Sequence, residues 1–128
     1  MQHIMKRVGD IMVDELNLPY QLGRYWVGDA PEMYWMGRYN PLGLYETPDT
    51  SETWGTFYLS FHKRGELTPS DVAQVETVWD KFRQGYTEPL APGVSWHCTV
   101  MQFRWDDTHV TDFHRAEITL NIKEWKAF

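Results

Sequence analysis

His62, His97, His109, His114 and the single cysteine, Cys98, are the side chains whose types and spacing could do chemistry in this chain. In His97-Cys98-Thr99 the histidine and threonine stand two apart, which puts both on one face of a strand. Two such His-x-Thr pairs can hold a phosphate between their imidazoles, and His109-Val110-Thr111 repeats the pattern. The repeat comes only 12 residues later and falls in an Asp-rich loop, so a histidine at a core edge is the better reading. His62, His97 and His114 all fall in expected strands, and zinc accepts three-histidine sites, but nothing in the sequence turns them toward one point. Cys98 as a nucleophile would need a base on its own face, and His97 points to the other. Asp106, Asp107 and Asp112 do not have the spacing of an EF-hand loop. There is no glycine-rich phosphate loop and no G-x-S-x-G. The chain is therefore expected to have no catalytic residue, no metal and no cofactor.

The elements that would position these groups follow from periodicity. Ile4, Met5, Val8, Ile11, Met12 and Leu16 recur at three- and four-residue spacing, which predicts a helix over 2–16, stopped ahead of Pro19. A short extended piece over 20–27 and an aromatic strand over 32–39 follow. Residues 40–53, with two prolines and a glycine, read as a long polar loop. Phe57, Leu59 and Phe61 alternate with Tyr58, Ser60 and His62, which predicts a strand over 54–64. Thr68-Pro69-Ser70-Asp71 is a helix start, with Thr68 as the cap, for a helix over 69–84 closed by Gly85. Residues 86–93 read as a connection. Residues 95–105 read as a strand with His97, Thr99, Met101 and Phe103 on one side and Trp96, Cys98 and Val100 on the other. In the last strand, 113–124, Ala116, Ile118, Leu120 and Ile122 face inward and Arg115, Glu117, Thr119, Asn121 and Lys123 face water. The expected fold is α+β: a largely antiparallel four-stranded sheet with two helices packed on one face, in a single domain over 1–128.

Composition narrows the role. The 128 residues can bury roughly two-thirds of their surface without staples. One cysteine excludes an internal disulfide and suits a reducing compartment. No apolar run approaches the ~20 residues of a membrane span, and Met1 to Arg7 lack the apolar block of a signal peptide. The net charge of −6 comes without any basic stripe, so gripping a nucleic-acid backbone is not expected. Seven Trp, seven Tyr and six Phe exceed what a small core can use. Tyr and Trp are enriched at interface centres, so the excess points to self-association through aromatics and open strand edges.

An ordered set of segments spans nearly the whole chain. Leu18-Pro19-Tyr20-Gln21-Leu22-Gly23 follows the first helix and Pro31-Glu32-Met33-Tyr34-Trp35 opens a strand. Phe61-His62-Lys63-Arg64-Gly65 ends the next, and Met101-Gln102-Phe103-Arg104-Trp105 lies beyond the second helix. Phe113-His114-Arg115-Ala116-Glu117-Ile118-Thr119-Leu120-Asn121-Ile122 starts the last strand. This order resembles the tail terminator, or tail-completion, proteins of long-tailed bacteriophages.

The resemblance implies a homo-oligomeric ring, usually of six copies, in the neck of a virion assembled in host cytoplasm. Its partners would be other copies of itself, the tail tube protein and the head-completion connector, with DNA only passing through the lumen and no membrane. Leu42, Leu44, Tyr45, Glu46, Asp49 and Glu52 of the long loop are the expected interface residues, mobile until docked. Arg115, Glu117 and Lys123 on the wet face of the last strand are expected to serve contacts rather than folding. The alternatives are another neck or head-closure protein, a monomeric binding or inhibitor domain, and a small histidine-dependent enzyme resembling the 2H phosphoesterases through His97 and Thr99.

Overall fold

The computed structural model describes residues 2–106 and 113–128. Helix α1 (Gln2–Gly9) runs on into a π-helical segment (Asp10–Glu15), in which Leu16 N–H reaches back five residues to Ile11 O at 3.0 Å. Ile4, Val8, Ile11 and Met12 line its buried stripe. Asn17 then takes a left-handed conformation (φ 53°), and the chain turns into the sheet at Pro19.

Six strands form one sheet: β1 (Tyr20–Leu22), β2 (Met33–Glu46), β3 (Thr50–Arg64), β4 (Tyr86–Ala91), β5 (Val94–Asp106) and β6 (Phe113–Ala127). Helix α2 (Pro69–Arg83) lies between β3 and β4 in the chain. The spatial order is β1-β2-β3-β6-β5-β4, with β1 parallel to β2 and every other pair antiparallel. The four-stranded antiparallel sheet expected from the sequence is thus replaced by a curled, mixed, six-stranded one.

The sequence reading went wrong at the two proline-bearing segments. Residues 40–53 are not a loop: β2 and β3 pair from Met33↔Lys63 out to Glu46↔Ser51, and β3 pairs with β6 to the same end. Pro41 is tolerated because β1 covers β2 only from Trp35 to Gly37, leaving an open edge beyond. A bulge between Pro41 and Gly43 absorbs the irregularity. The turn is only Thr47-Pro48-Asp49, clasped by Thr50 N–H on Thr47 Oγ1 at 3.0 Å. Residues 86–91, expected as connection, are edge strand β4, where Pro89 needs no ladder partner on its free side.

A second bulge, between Val100 and Gln102, corrects the facing of β5. The extra residue, Met101, turns outward, and the alternation restarts with Phe103 and Trp105 opposite Ile118 and Ala116 on the core side. Phe103 therefore packs against Trp79 of α2, ring centroids 5.2 Å apart, instead of sharing a face with His97.

Ile4, Val8, Ile11 and Met12 join Val75, Val78 and Phe82 of α2 and the inward residues of the sheet in one hydrophobic cluster. The curl brings both edge strands to α1. Gly9 sits against the Tyr20 ring of β1, and Arg7 pairs with Glu88 of β4, which also accepts Trp96 Nε1–H at 3.1 Å. Glu15 joins the helices by accepting from Arg7 at 2.7 Å and Lys81 at 2.9 Å. A side chain at Gly37 would run into the Tyr20 phenol, so this close approach requires glycine.

Helix α2 begins in a capping box, with Asp71 N–H on Thr68 Oγ1 and Thr68 N–H on Asp71 Oδ2. The same carboxylate meets the buried Lys63 ammonium at 3.2 Å. Burial opposes its ionisation, but the bonds from Thr68 and Lys63 outweigh that and hold Asp71 below its ordinary carboxylate range. Asp71→Ala would leave Lys63 buried without its anion and α2 without its cap. A loss of about 3 kcal/mol is expected, read as a lowered urea midpoint at pH 7. A change under about 0.5 kcal/mol, the size expected of an ordinary surface site, would remove Lys63–Asp71 as the tie between sheet and helix.

Candidate assembly surface

The face of the sheet turned away from the helices carries a shallow depression of about 220 Å³. Arg24, Tyr25, Arg38, Tyr58, His62 and Arg115 are among the residues that line it. The register explains the gathering: Arg38 stands opposite Tyr58, Met36 opposite Ser60, and His62 between Tyr34 and Arg115. The Arg38 guanidinium lies 4.9 Å from the Tyr58 ring centroid, a cation–π contact. His62 stacks on Tyr34 with centroids 4.9 Å apart, and its Nε2 is 2.9 Å from Ser60 Oγ. Glu117 takes Arg115 at 3.3 Å and Arg104 at 3.7 Å. His62 Nδ1 and Arg115 Nε are buried with no hydrogen-bond partner among the described residues.

A loop clasped by two hydrogen bonds rims this depression. The Gln21 amide accepts Val27 N–H at 2.8 Å and donates to Val27 O at 3.1 Å, closing residues 22–26 as a strand pair would. Gly23 (φ 123°) and Gly28 (φ 95°) supply the left-handed turns on either side. Trp26 packs on Tyr34, which leaves Tyr25 and Val27 pointing into solvent, 82% and 79% exposed.

The residues expected at an interface fall into two separate patches. Leu42, Leu44, Tyr45, Glu46 and Asp49 sit at the far end of the β2–β3 hairpin and are exposed. Glu52 joins them and reaches Lys123 of β6 at 3.5 Å. Arg115 and Glu117 belong instead to the depression, eight residues back along β6, roughly 26 Å away on an extended strand. They are also less free than the wet face of a strand implies, since the Glu117 side chain is only 13% exposed. The hairpin end is paired strand and not loop: β3 has a neighbour on each side throughout.

Sequence reasoning missed Arg24, Tyr25, Val27, Arg38 and Tyr58. The paired glycines around Arg24–Val27 were the available signal. Only the pairing of β2 with β3 could bring Arg38 to His62 and Arg115.

The groups considered for chemistry stay apart. His97 is held by Thr87 Oγ1 at 2.7 Å, beside Lys123 in the register and far from His62. His114 stands opposite Lys63, one position out of phase with His62, and so on the other face of the sheet. Burial pushes the Cys98 thiol up to about 12. His109, Thr111, Asp107 and Asp112 lie outside the described residues.

No family model matches the chain, and no curated protein matches it. Solved structures do. One protein, for which no role is stated, superposes with a TM-score of 0.65 at 12% identity, over 97% of this chain and 95% of its own. A chain from the virion of a native gene transfer agent (GTA) particle superposes with a TM-score of 0.56 at 10% identity, over 97% and 90%. At these identities the likeness establishes a shared fold, end to end.

His62 gives this surface a pH signature. Burial, and then the Arg115 charge, lower its pKa to about 4 from the ordinary 6.5. Between those values the unfolded chain binds the extra proton, so stability is full above about 6.5 and falls as pH drops toward about 4. His62 is only partly enclosed, so solvent screening limits the loss to about 1–2 kcal/mol. Replacement by glutamine, which keeps a donor toward Ser60, should flatten the urea midpoint between pH 7 and 4.5. An unchanged slope would mean that His62 titrates normally in the folded chain.

Proposed function

We propose that this chain is a structural subunit of a phage-like particle and, more finely, a tail terminator. A ring of copies would cap the tail tube, stop its polymerisation and present the joining surface to the head connector. The observation that carries the reading is the fold shared over nearly the full length with a chain of a GTA virion. The segment order that resembles tail terminators adds to it independently. The surface chemistry fits: exposed Tyr and Leu anchors beside unpaired charges are what subunit contacts use. A net charge of −6 fits a lumen that must let DNA pass without holding its phosphates. The chain is read as non-catalytic because His97 is tied to Thr87 and the Cys98 thiol is buried and hard to ionise.

The test is tube assembly with the tail-tube subunit of the same particle. Adding the protein during polymerisation should arrest growth and leave a ring-shaped density at one tube end in electron micrographs. Tubes of unaltered length with no end density would overturn the terminator role. Binding to the head connector alone would move the chain to head closure within the same class.

A further inference from the structure

The two patches are opposite in charge, and each is incomplete. Arg24 and Arg38 have no carboxylate partner among the described residues, although Arg38 stacks on Tyr58. Beside them lie the unpartnered buried atoms His62 Nδ1 and Arg115 Nε. At the hairpin end Glu46 and Asp49 are exposed and have no cationic partner among the described residues. Next to these acids Leu42, Leu44 and Tyr45 are 61%, 57% and 63% exposed. Arg38 and Glu46 are eight residues apart on the same strand, roughly 26 Å, so the acids of a copy cannot reach its own arginines.

We propose that the acidic hairpin end of one copy docks on the Arg24–Tyr25–Arg38 surface of a second copy. The recognition is arginine with carboxylate, over an apolar contact of Tyr25 and Val27 with Leu44, which shares a face of β2 with Glu46. Both halves are organised beforehand, one by the Gln21 clasp and the other by strand pairing, so little ordering entropy opposes the contact. The patches are different surfaces, so the contact is heterologous: a docked pair still offers one unused patch of each kind, and growth ends only when a ring closes. This inference rests on the assembly reading, which supplies the neighbouring copy.

The test uses two full-length variants, each lacking one patch. Arg24→Glu with Arg38→Glu keeps the hairpin end; Glu46→Lys with Asp49→Lys keeps the arginine surface. Each alone should stay monomeric in sedimentation at millimolar concentration. Mixed, they should form a one-to-one heterodimer that grows no further. With the hairpin variant isotope-labelled, amide shifts should appear at residues 23–27, 38 and 58–62. They should vanish when the added chain also carries Glu46→Lys and Asp49→Lys. Dispersed amide spectra check that each variant is folded, and Arg24→Glu alone, in a loop outside the sheet, repeats the test without touching a strand. No shifts at millimolar concentration, shifts mapping elsewhere, or shifts here only with tube subunits or duplex DNA would each overturn the proposal. If both variants cap tubes normally, this interface falls and the terminator role stands. If the heterodimer forms but wild-type protein caps no tube, the interface stands and the terminator role falls.

Discussion

Everything in this molecule hangs on the pairing of β3 with β6. Fifteen register pairs run without interruption from Thr50↔Ala127 to Arg64↔Phe113. Each strand also has a neighbour on its outer side, so the pair forms the sheet's spine. Strict alternation along both strands puts Phe57, Leu59 and Phe61 beside Ile122, Leu120, Ile118 and Ala116 on one face, all buried. The same alternation fixes Tyr58, Ser60 and His62 beside Thr119, Glu117 and Arg115 on the other. Core and outer surface are two consequences of one register, and a slip of one residue would exchange them.

The irregular positions give the sheet its shape around that spine. Bulges at Pro41/Gly43 and at Val100/Gln102 interrupt the two strands that flank it. Bulges increase local twist and bend, in keeping with a sheet curled enough for one helix to touch both edges. Gly37 and Gly55 let the Tyr20 and Tyr39 rings lie directly on the backbone. Polar contacts then lock the helices onto the concave side. Arg7, Glu15, Lys81 and Glu88 tie α1 to α2 and β4, and Lys63 with Asp71 ties β3 to the start of α2.

The outer surface inherits its character from the same constraints. Because the register of β3 with β6 is uninterrupted, their outward residues line up in rows, and the arginine surface and the hairpin end lie at opposite ends of the sheet. One end gathers arginines around a partly buried histidine. The other carries the acids and apolar side chains of a hairpin that stays paired within the sheet up to its turn.

Much of this was legible in the residues themselves. The stripes of both helices, the Thr68 cap of the second, and the alternation of Phe57 to Phe61 and of Ala116 to Ile122 are local signals, and local physics decides them. The sequence also marked Leu42 to Glu52 as exposed and acidic. Tertiary structure decided the rest. Whether Pro41 and Pro89 break a strand depends on which neighbour would have used the missing N–H, and that is known only once the strand order is known. Whether Phe103 faces the core depends on one extra residue that the partner strand does not match. The arginine surface joins Arg24, Arg38 and Arg115 from three distant parts of the chain. Periodicity describes one segment at a time, whereas strand order and register are properties of pairs of segments, so only the folded sheet could bring those charges together.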